Sequence, residues 1–266
     1  MRGELHGRST ASRFSSAAAS YEEGADVLRR VARKVAALLD AITPIPSRIL
    51  EIGCGTGLLT ELVASRFPGV PITAVDAAPG MIEHARKKRG LGPVVQWRVA
   101  DALALDLPPF PLAVSSSSLH WVAPISGAFR KLSELVEEGG DLVFALMLEG
   151  TLGELHASRG RVAPGKAVAG RLPAAGDVVR ALEAAGFSVV RREQETIVTS
   201  YPSAGAFLDR IHALGVTGGD FSSSASRLSR GELEALVSDY EARYRSGEGV
   251  HASFEVLHVH ARRAVR

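Results

Sequence analysis

The stretch RILEIGCGTGLLTELVA, Arg48 to Ala64, places three glycines within five residues directly behind an apolar run that contains one acid. The apolar run reads as a buried strand, and the periodic apolar residues after Gly57 read as a helix. Between them, glycine adopts backbone conformations that side chains disfavour and lets another group come close to the main chain. A strand, a glycine turn and a helix in that order belong to α/β architecture. On its own the loop leaves two readings open, a ligand cradle and a plain strand-to-helix turn.

Spacing narrows the ligand. A phosphate-cradling P-loop ends in Gly-Lys-Ser/Thr, whereas Gly57 is followed by Leu58. A dinucleotide fingerprint has glycine at its first, third and sixth positions, and the sixth position counted from Gly53 is again Leu58. The pattern that remains is acid-x-Gly-x-Gly-x-Gly: Glu51, Gly53, Gly55 and Gly57. Asp76 ends the next apolar run, where one carboxylate can accept hydrogen bonds from both hydroxyls of a ribose. Asp101 lies just past a third run, VQWRV. An acid thus stands at each of three successive strand ends. Each has a plainer alternative, Asp101 as a turn cap for example, and Met81 as core.

The rest of the chain repeats the rhythm. Strands are expected near Arg48–Ile52, Ile72–Val75, Val94–Val99, Leu112–Ser115 and Leu142–Met147, with helices near Leu58–Arg66, Gly80–Lys88 and Ile125–Val136. Such alternation predicts a mostly parallel sheet covered on both faces. A further helix stops at Gly186, a strand or two reach Thr199, and SFEVLHVHARR reads as a last strand. Ser20–Leu39 reads as one helix with a Ser20/Glu23 capping box, and the first sixteen residues as a flexible start. Segments 148–176 and 201–249 are too long for simple connections and are expected to be lids, the second with helices near Ala204–Leu214 and Arg230–Tyr244. With 266 residues the chain fits one large domain, 1–266. A net charge of +2 does not indicate a strongly basic nucleic-acid binder. No run approaches the roughly 18 apolar residues of a membrane span, and the first residues lack the apolar middle of a secretory signal. The single Cys54 leaves no intrachain disulfide framework and points to a reducing cytoplasm. His251, His258 and His260 are spaced as strand residues with no cysteine nearby, so no metal site is expected.

Over about residues 45–150, the glycine loop and the three acids resemble the class I S-adenosylmethionine (SAM)-dependent methyltransferases. The resemblance implies a Rossmann-like α/β fold, a mostly parallel seven-stranded sheet with helices on both faces and helical lid insertions. It assigns the cofactor's amino-acid part to Glu51, Gly53, Gly55 and Gly57, its ribose to Asp76, and its adenine to Asp101, with Met81, Ala102 and Ser116 as neighbours. From Arg13 nearly to the end, RFSSAAASYEEGADVLRRVA, VSSSSLHWV, GTLGELHAS, GRLPAAGDV and IHALGVTGGD occur in that order. This series is similar to the malonyl-acyl-carrier-protein O-methyltransferases of early biotin synthesis. Pro111 and Glu138 depart from that family's pattern, which has an acid and a proline there.

The implied reaction methylates the free carboxylate of a malonyl thioester and releases S-adenosylhomocysteine. A carboxylate of ordinary pKa about 4 is already ionised at neutral pH, so no general base is required. Water stabilises the separated opposite charges of nucleophile and sulfonium, so alignment and water exclusion are the expected source of rate. The candidates for that work are Tyr21 and Trp121 as lid residues, His120 as a hydrogen-bonding group, and Arg171 as a bidentate carboxylate clamp; His156 is a weaker candidate. The expected partner is malonyl-acyl-carrier protein or malonyl-coenzyme A, with no nucleic acid, no membrane and a monomeric chain. Docking cations are sought among Arg29, Arg30, Arg33, Lys34, Arg159, Arg161, Lys166, Arg227 and Arg230. The runner-up is methylation of a free small carboxylic acid or other metabolite. A SAM-binding protein without catalysis and a dehydrogenase stand further off.

Overall fold

A computed structural model describes residues 2–122, 124–166, 172–214 and 227–265. The chain opens with helix α1 (Arg2–Ala17), a 3-10 turn (Tyr21–Gly24) and helix α2 (Asp26–Leu38). The alternating core follows: β1 (Ile49–Ile52), α3 (Leu58–Arg66), β2 (Ile72–Asp76), α4 (Pro79–Arg89), β3 (Val95–Val99), β4 (Phe110–Ser116), α5 (Ile125–Leu135) and β5 (Val136–Met147). After it come α6 (Gly153–Val162), α7 (Ala175–Ala184), β6 (Phe187–Tyr201), α8 (Ala204–Ala213), α9 (Arg230–Arg243), β7 (Arg245–Ser246) and β8 (Gly249–Arg263).

The sheet runs β3-β2-β1-β4-β5-β8-β6, with the two-residue β7 paired to β8 as an eighth strand. β1 to β5 pair parallel, and β8 inserts antiparallel between β5 and β6. Strand order reverses between β1 and β4, and in such sheets a ligand crevice opens at the carboxyl ends beside that switch point. The register slips between Phe110 and Leu112, at Pro111, which has no N–H to give to the ladder.

Strands buried on both faces explain why the apolar runs are continuous rather than alternating. In β5, Val143, Ala145 and Met147 join the core layer containing Val31, Val35 and Phe67, while Leu142, Phe144 and Leu146 join the layer of Phe129, Leu132 and Leu182. Each layer is one face of the period-two strand.

Two expectations need correction. The start of the chain is helical, not flexible, and α1 lies against the beginning of α4: Ser15 Oγ accepts the Gly80 N–H at 3.2 Å. Ser20–Leu39 is not one helix. A 3-10 turn comes first and α2 starts after Ala25, without the capping box. Ser20 Oγ instead donates to Ala17 O at 3.4 Å. The apolar stripe itself lies where periodicity puts it, with Val27, Val31, Val35 and Leu38 buried. Among the described residues, the two long segments are also joined to each other. Arg161 of α6 meets Asp239 of α9 at 2.6 Å, and Lys166 meets Glu232 at 2.6 Å.

Candidate active site

The loops after β1 and β4 meet at the switch point. Gly53, Gly55 and Gly57 all have positive φ, at 66°, 54° and 83°. Their surroundings differ. A Cβ on Gly53 would fall 1.7 Å from Ser118 Oγ, and one on Gly57 2.9 Å from Trp97 Cη2, whereas one on Gly55 would meet nothing within 4 Å. Gly53 and Gly57 therefore let the protein pack on its own loop, and only Gly55 faces open space. Ser117, in the loop after β4, also holds a positive φ of 53°, a conformation unusual for serine, and its N–H donates to Ala145 O at 2.9 Å.

Two of the strand-end acids converge there. Asp76 Oδ2 accepts the Gly55 N–H at 2.9 Å and Oδ1 accepts the Ala78 N–H at 2.8 Å. Burial raises the Asp76 pKa, against the lowering effect of those two N–H groups. Glu51 is buried, with Oε2 lacking a hydrogen-bond partner. Burial foremost, helped by the charge of Asp76 and opposed by the Thr60 hydroxyl, pushes its pKa to about 8. Asp101 is exposed at the end of β3, where Oδ1 accepts the Leu103 N–H at 2.9 Å and caps the short turn carrying Ala102. Ser116 ends β4 and is half-buried.

Aromatic rings wall one side. Phe14 of α1 stacks edge-on against Trp121 with centroids 5.3 Å apart, and lies 6.3 Å from Tyr21. Met81, Ala18 and Ala78 are buried beside Phe14 and Tyr21. Burial, then the charge of Asp76, lifts the Tyr21 pKa far above its ordinary value, so its hydroxyl stays protonated. His120 Nδ1 accepts the Met147 N–H at 3.4 Å, which leaves the proton of the neutral ring on Nε2. Burial lowers its pKa to about 3, so the ring is uncharged at neutral pH. His156, on α6, is half-buried and also shifted down, by burial and then by Arg159.

The expected carboxylate clamp, Arg171, lies outside the described residues. Most of the expected docking cations are engaged internally: Arg30 meets Glu195 at 3.1 Å, Lys34 meets Glu195 at 3.3 Å, and Arg230 meets Glu234 at 3.0 Å. Glu195 follows too far along the chain from α2 for sequence spacing to reveal its pairing with Arg30 and Lys34, whereas Arg230 and Glu234 stand four residues apart on α9. Sequence reasoning also missed Phe14, Ser118, Glu22 and Arg89. Phe14, Glu22 and Ser118 lie inside the stretches RFSSAAASYEEGADVLRRVA and VSSSSLHWV but carry no pattern of their own there, and nothing local marks Arg89. His251, His258 and His260 each face a carboxylate, Glu154 at 3.7 Å, Glu195 at 3.0 Å and Asp141 at 2.7 Å. No group of three or more His, Cys, Asp or Glu placed to hold a metal ion occurs among the described residues. None of the helices described is long and apolar enough to cross a membrane.

An open cradle at Gly55, an unsatisfied buried carboxyl beside it and a carboxylate at the next strand end fit a nucleoside that also carries an ammonium group. With this strand order they define a class I methyltransferase core. Residues 49–140 match the family described as methyltransferase domain. The malonyl-acyl-carrier-protein O-methyltransferase of Geobacter sulfurreducens is 34% identical over 262 residues, covering 92% of this chain and 94% of its own. That of Methylococcus capsulatus is 31% identical over 248 residues, covering 92% and 89%. The N-methyltransferase NodS from Bradyrhizobium japonicum, solved with S-adenosylhomocysteine, superposes with a TM-score of 0.51 at 18% identity, covering 88% of this chain and 86% of its own. The chain belongs to the malonyl-acyl-carrier-protein O-methyltransferase family.

Proposed function

We propose that this protein transfers a methyl group from SAM to the free carboxylate of malonyl-acyl-carrier protein, giving the methyl ester and S-adenosylhomocysteine at an early step of biotin synthesis. The observation that carries the proposal is the 34% identity over 262 residues, which covers 92% of this chain and 94% of the relative from Geobacter sulfurreducens.

When bound, SAM supplies a methyl on a positively charged sulfur. The chain's own residues hold and screen the two reactants. Asp76 would take the ribose hydroxyls with lone pairs left over from Gly55 and Ala78, and the main chain at Gly55 would take the amino-acid part beside Glu51. Gly53 and Gly57 keep that main chain in its left-handed turns. Asp101, Ala102, Met81 and Ser116 would border the adenine side. The acceptor carboxylate is ionised at neutral pH and no proton has to be removed. His120, neutral with its proton on Nε2, is a hydrogen-bond donor and too weak a base at pKa about 3 to act otherwise. Tyr21, kept protonated, donates as well. Trp121 and Phe14 exclude water from a reaction in which two opposite charges disappear, and dehydration of those charges favours the transition state. Arg171 would engage both carboxylate oxygens. The protein acts in the cytoplasm, as a monomer and without a metal ion.

The test is incubation with methyl-labelled SAM and malonyl-acyl-carrier protein, malonyl-coenzyme A or free malonate in parallel. Label on the carrier-bound malonyl group is the expected outcome. Label on malonyl-coenzyme A with none on the carrier would move the substrate assignment to the coenzyme A thioester. Label on free malonate alone would replace the proposal with methylation of a free acid.

A further inference from the structure

The turn that carries Tyr21 is fastened by charge. Glu22 is only 8% exposed. Its carboxylate accepts from Lys88 Nζ at 2.8 Å and from an Arg89 guanidinium nitrogen, with Arg29 at 3.8 Å and His84 at 3.9 Å. Burial on its own would raise the Glu22 pKa, but the contacts with Lys88 and Arg89 outweigh it and hold the group ionised. Arg89 reaches two further elements. Its Nε donates to Thr56 O in the glycine loop at 2.9 Å, and Nη1 to Glu61 in the first turn of α3 at 2.9 Å. The same side chain therefore grips the glycine loop and the turn bearing Tyr21. On the far side of that turn, Arg210 of α8 donates to Glu23 O.

We infer that the Glu22–Arg89 pair is a latch that couples closure of the Tyr21 turn and α1 to the shape of the glycine loop. Glu22 and Arg89 are positioning residues that set how long the cofactor and its product stay bound, and they take no part in the chemistry. The inference rests on the cofactor reading given above. An element that must admit a nucleoside and release its product at each turnover has to open. A carboxylate among cations suits that task, because water solvates both partners once the turn lifts, whereas separated apolar surfaces gain nothing from it. Closing brings Tyr21 up to Asp76 and sets Phe14 on Trp121. Because Arg89 also holds Thr56 O, a disturbed glycine loop loosens the latch from its other side.

The experiment uses the full chain with Trp97→Phe, which leaves Trp121 as the only tryptophan of the two. In this background Glu22→Gln should red-shift Trp121 emission in the ligand-free protein. It should also speed S-adenosylhomocysteine dissociation in stopped flow by about tenfold, the size expected for loss of a charge-assisted contact. Arg89→Lys, which keeps a cation but loses the fork to Thr56 and Glu61, should fall between. Unchanged emission and an unchanged dissociation rate in folded Glu22→Gln protein overturn the latch. If that variant does not fold, Lys88→Met is read the same way, since it removes only the more exposed arm, and no change there overturns the latch equally. Failure of the parent protein to bind S-adenosylhomocysteine counts against the cofactor reading, while the ligand-free emission still decides the latch.

Discussion

Asp76 Oδ2 accepts the backbone N–H of Gly55 at 2.9 Å, so the acid at the end of β2 shapes the loop after β1. Any ligand that pulls on this carboxylate also pulls on the glycine turn. The two acids here are costly to ionise in the ligand-free protein: Glu51 has a pKa of about 8 and Asp76 is raised, both by burial first. The sulfonium and ammonium charges of SAM favour the ionised forms.

SAM binding is therefore expected to release protons near pH 7 and to tighten as pH rises towards 8. Calorimetry in two buffers of different ionisation enthalpy measures the release directly. The sign for folding is the opposite. A carboxyl whose folded pKa is raised contributes stability in full below its unfolded value of about 4.5, and that contribution is lost as pH climbs through the folded value. The ligand-free protein should melt at a lower temperature at pH 8.5 than at pH 6, and saturating SAM should narrow the difference.

Gly53 and Gly55 separate packing from ligand approach. Gly53→Ala drives a methyl into Ser118 Oγ, 1.7 Å away, at a φ of 66°. It should destabilise the fold by about 2–4 kcal/mol, from overpacking and left-handed strain together. Gly55→Ala meets open space, so it carries only the strain of about 1–2 kcal/mol. Its methyl occupies the ligand's side of the loop, however. Chemical denaturation should rank Gly53→Ala as the less stable, and SAM affinity should fall in Gly55→Ala even where the fold is intact. Equal stability losses would count against this division.

His120 offers a donor and no usable base. Its pKa of about 3 lies far below the working range, so kcat should show no histidine limb between pH 6 and 9. His120→Gln keeps a donor and should retain most activity, whereas His120→Ala should lose about tenfold, the worth of a hydrogen bond to a charged group. A limb near pH 6.5 that vanishes in His120→Gln would show a titrating role instead.

The core of the fold was legible because β1, β2 and β5 are buried on both faces and their apolar runs admit no other placement. Leu58–Arg66 was bounded by Gly57 and by the chain turn after it, and the helix occupies those residues. The N-terminus was not legible. Phe14 has its partner Trp121 more than a hundred residues away, and α1 gains its place from that contact and from Ser15 against Gly80, neither of which leaves a periodic signature. Ser20 and Glu23 matched a capping pattern, but the adjacent Glu22 is drawn to Lys88 and Arg89, and the turn follows it. In the candidate site, Glu51, Gly55 and Asp76 could be read from local pattern because strand ends and glycines are marked in sequence. Ser118 and Arg89 could not, since their importance comes from which loops the topology brings together.

The most direct test of the account is calorimetric titration of SAM into folded wild-type protein and into Asp76→Ala. The account predicts saturable binding to the wild type and at least about a tenfold loss in the variant, which lacks the carboxylate for the ribose and the anchor of Gly55. Absence of heat with the wild type, or equal affinity in the two proteins, would contradict it.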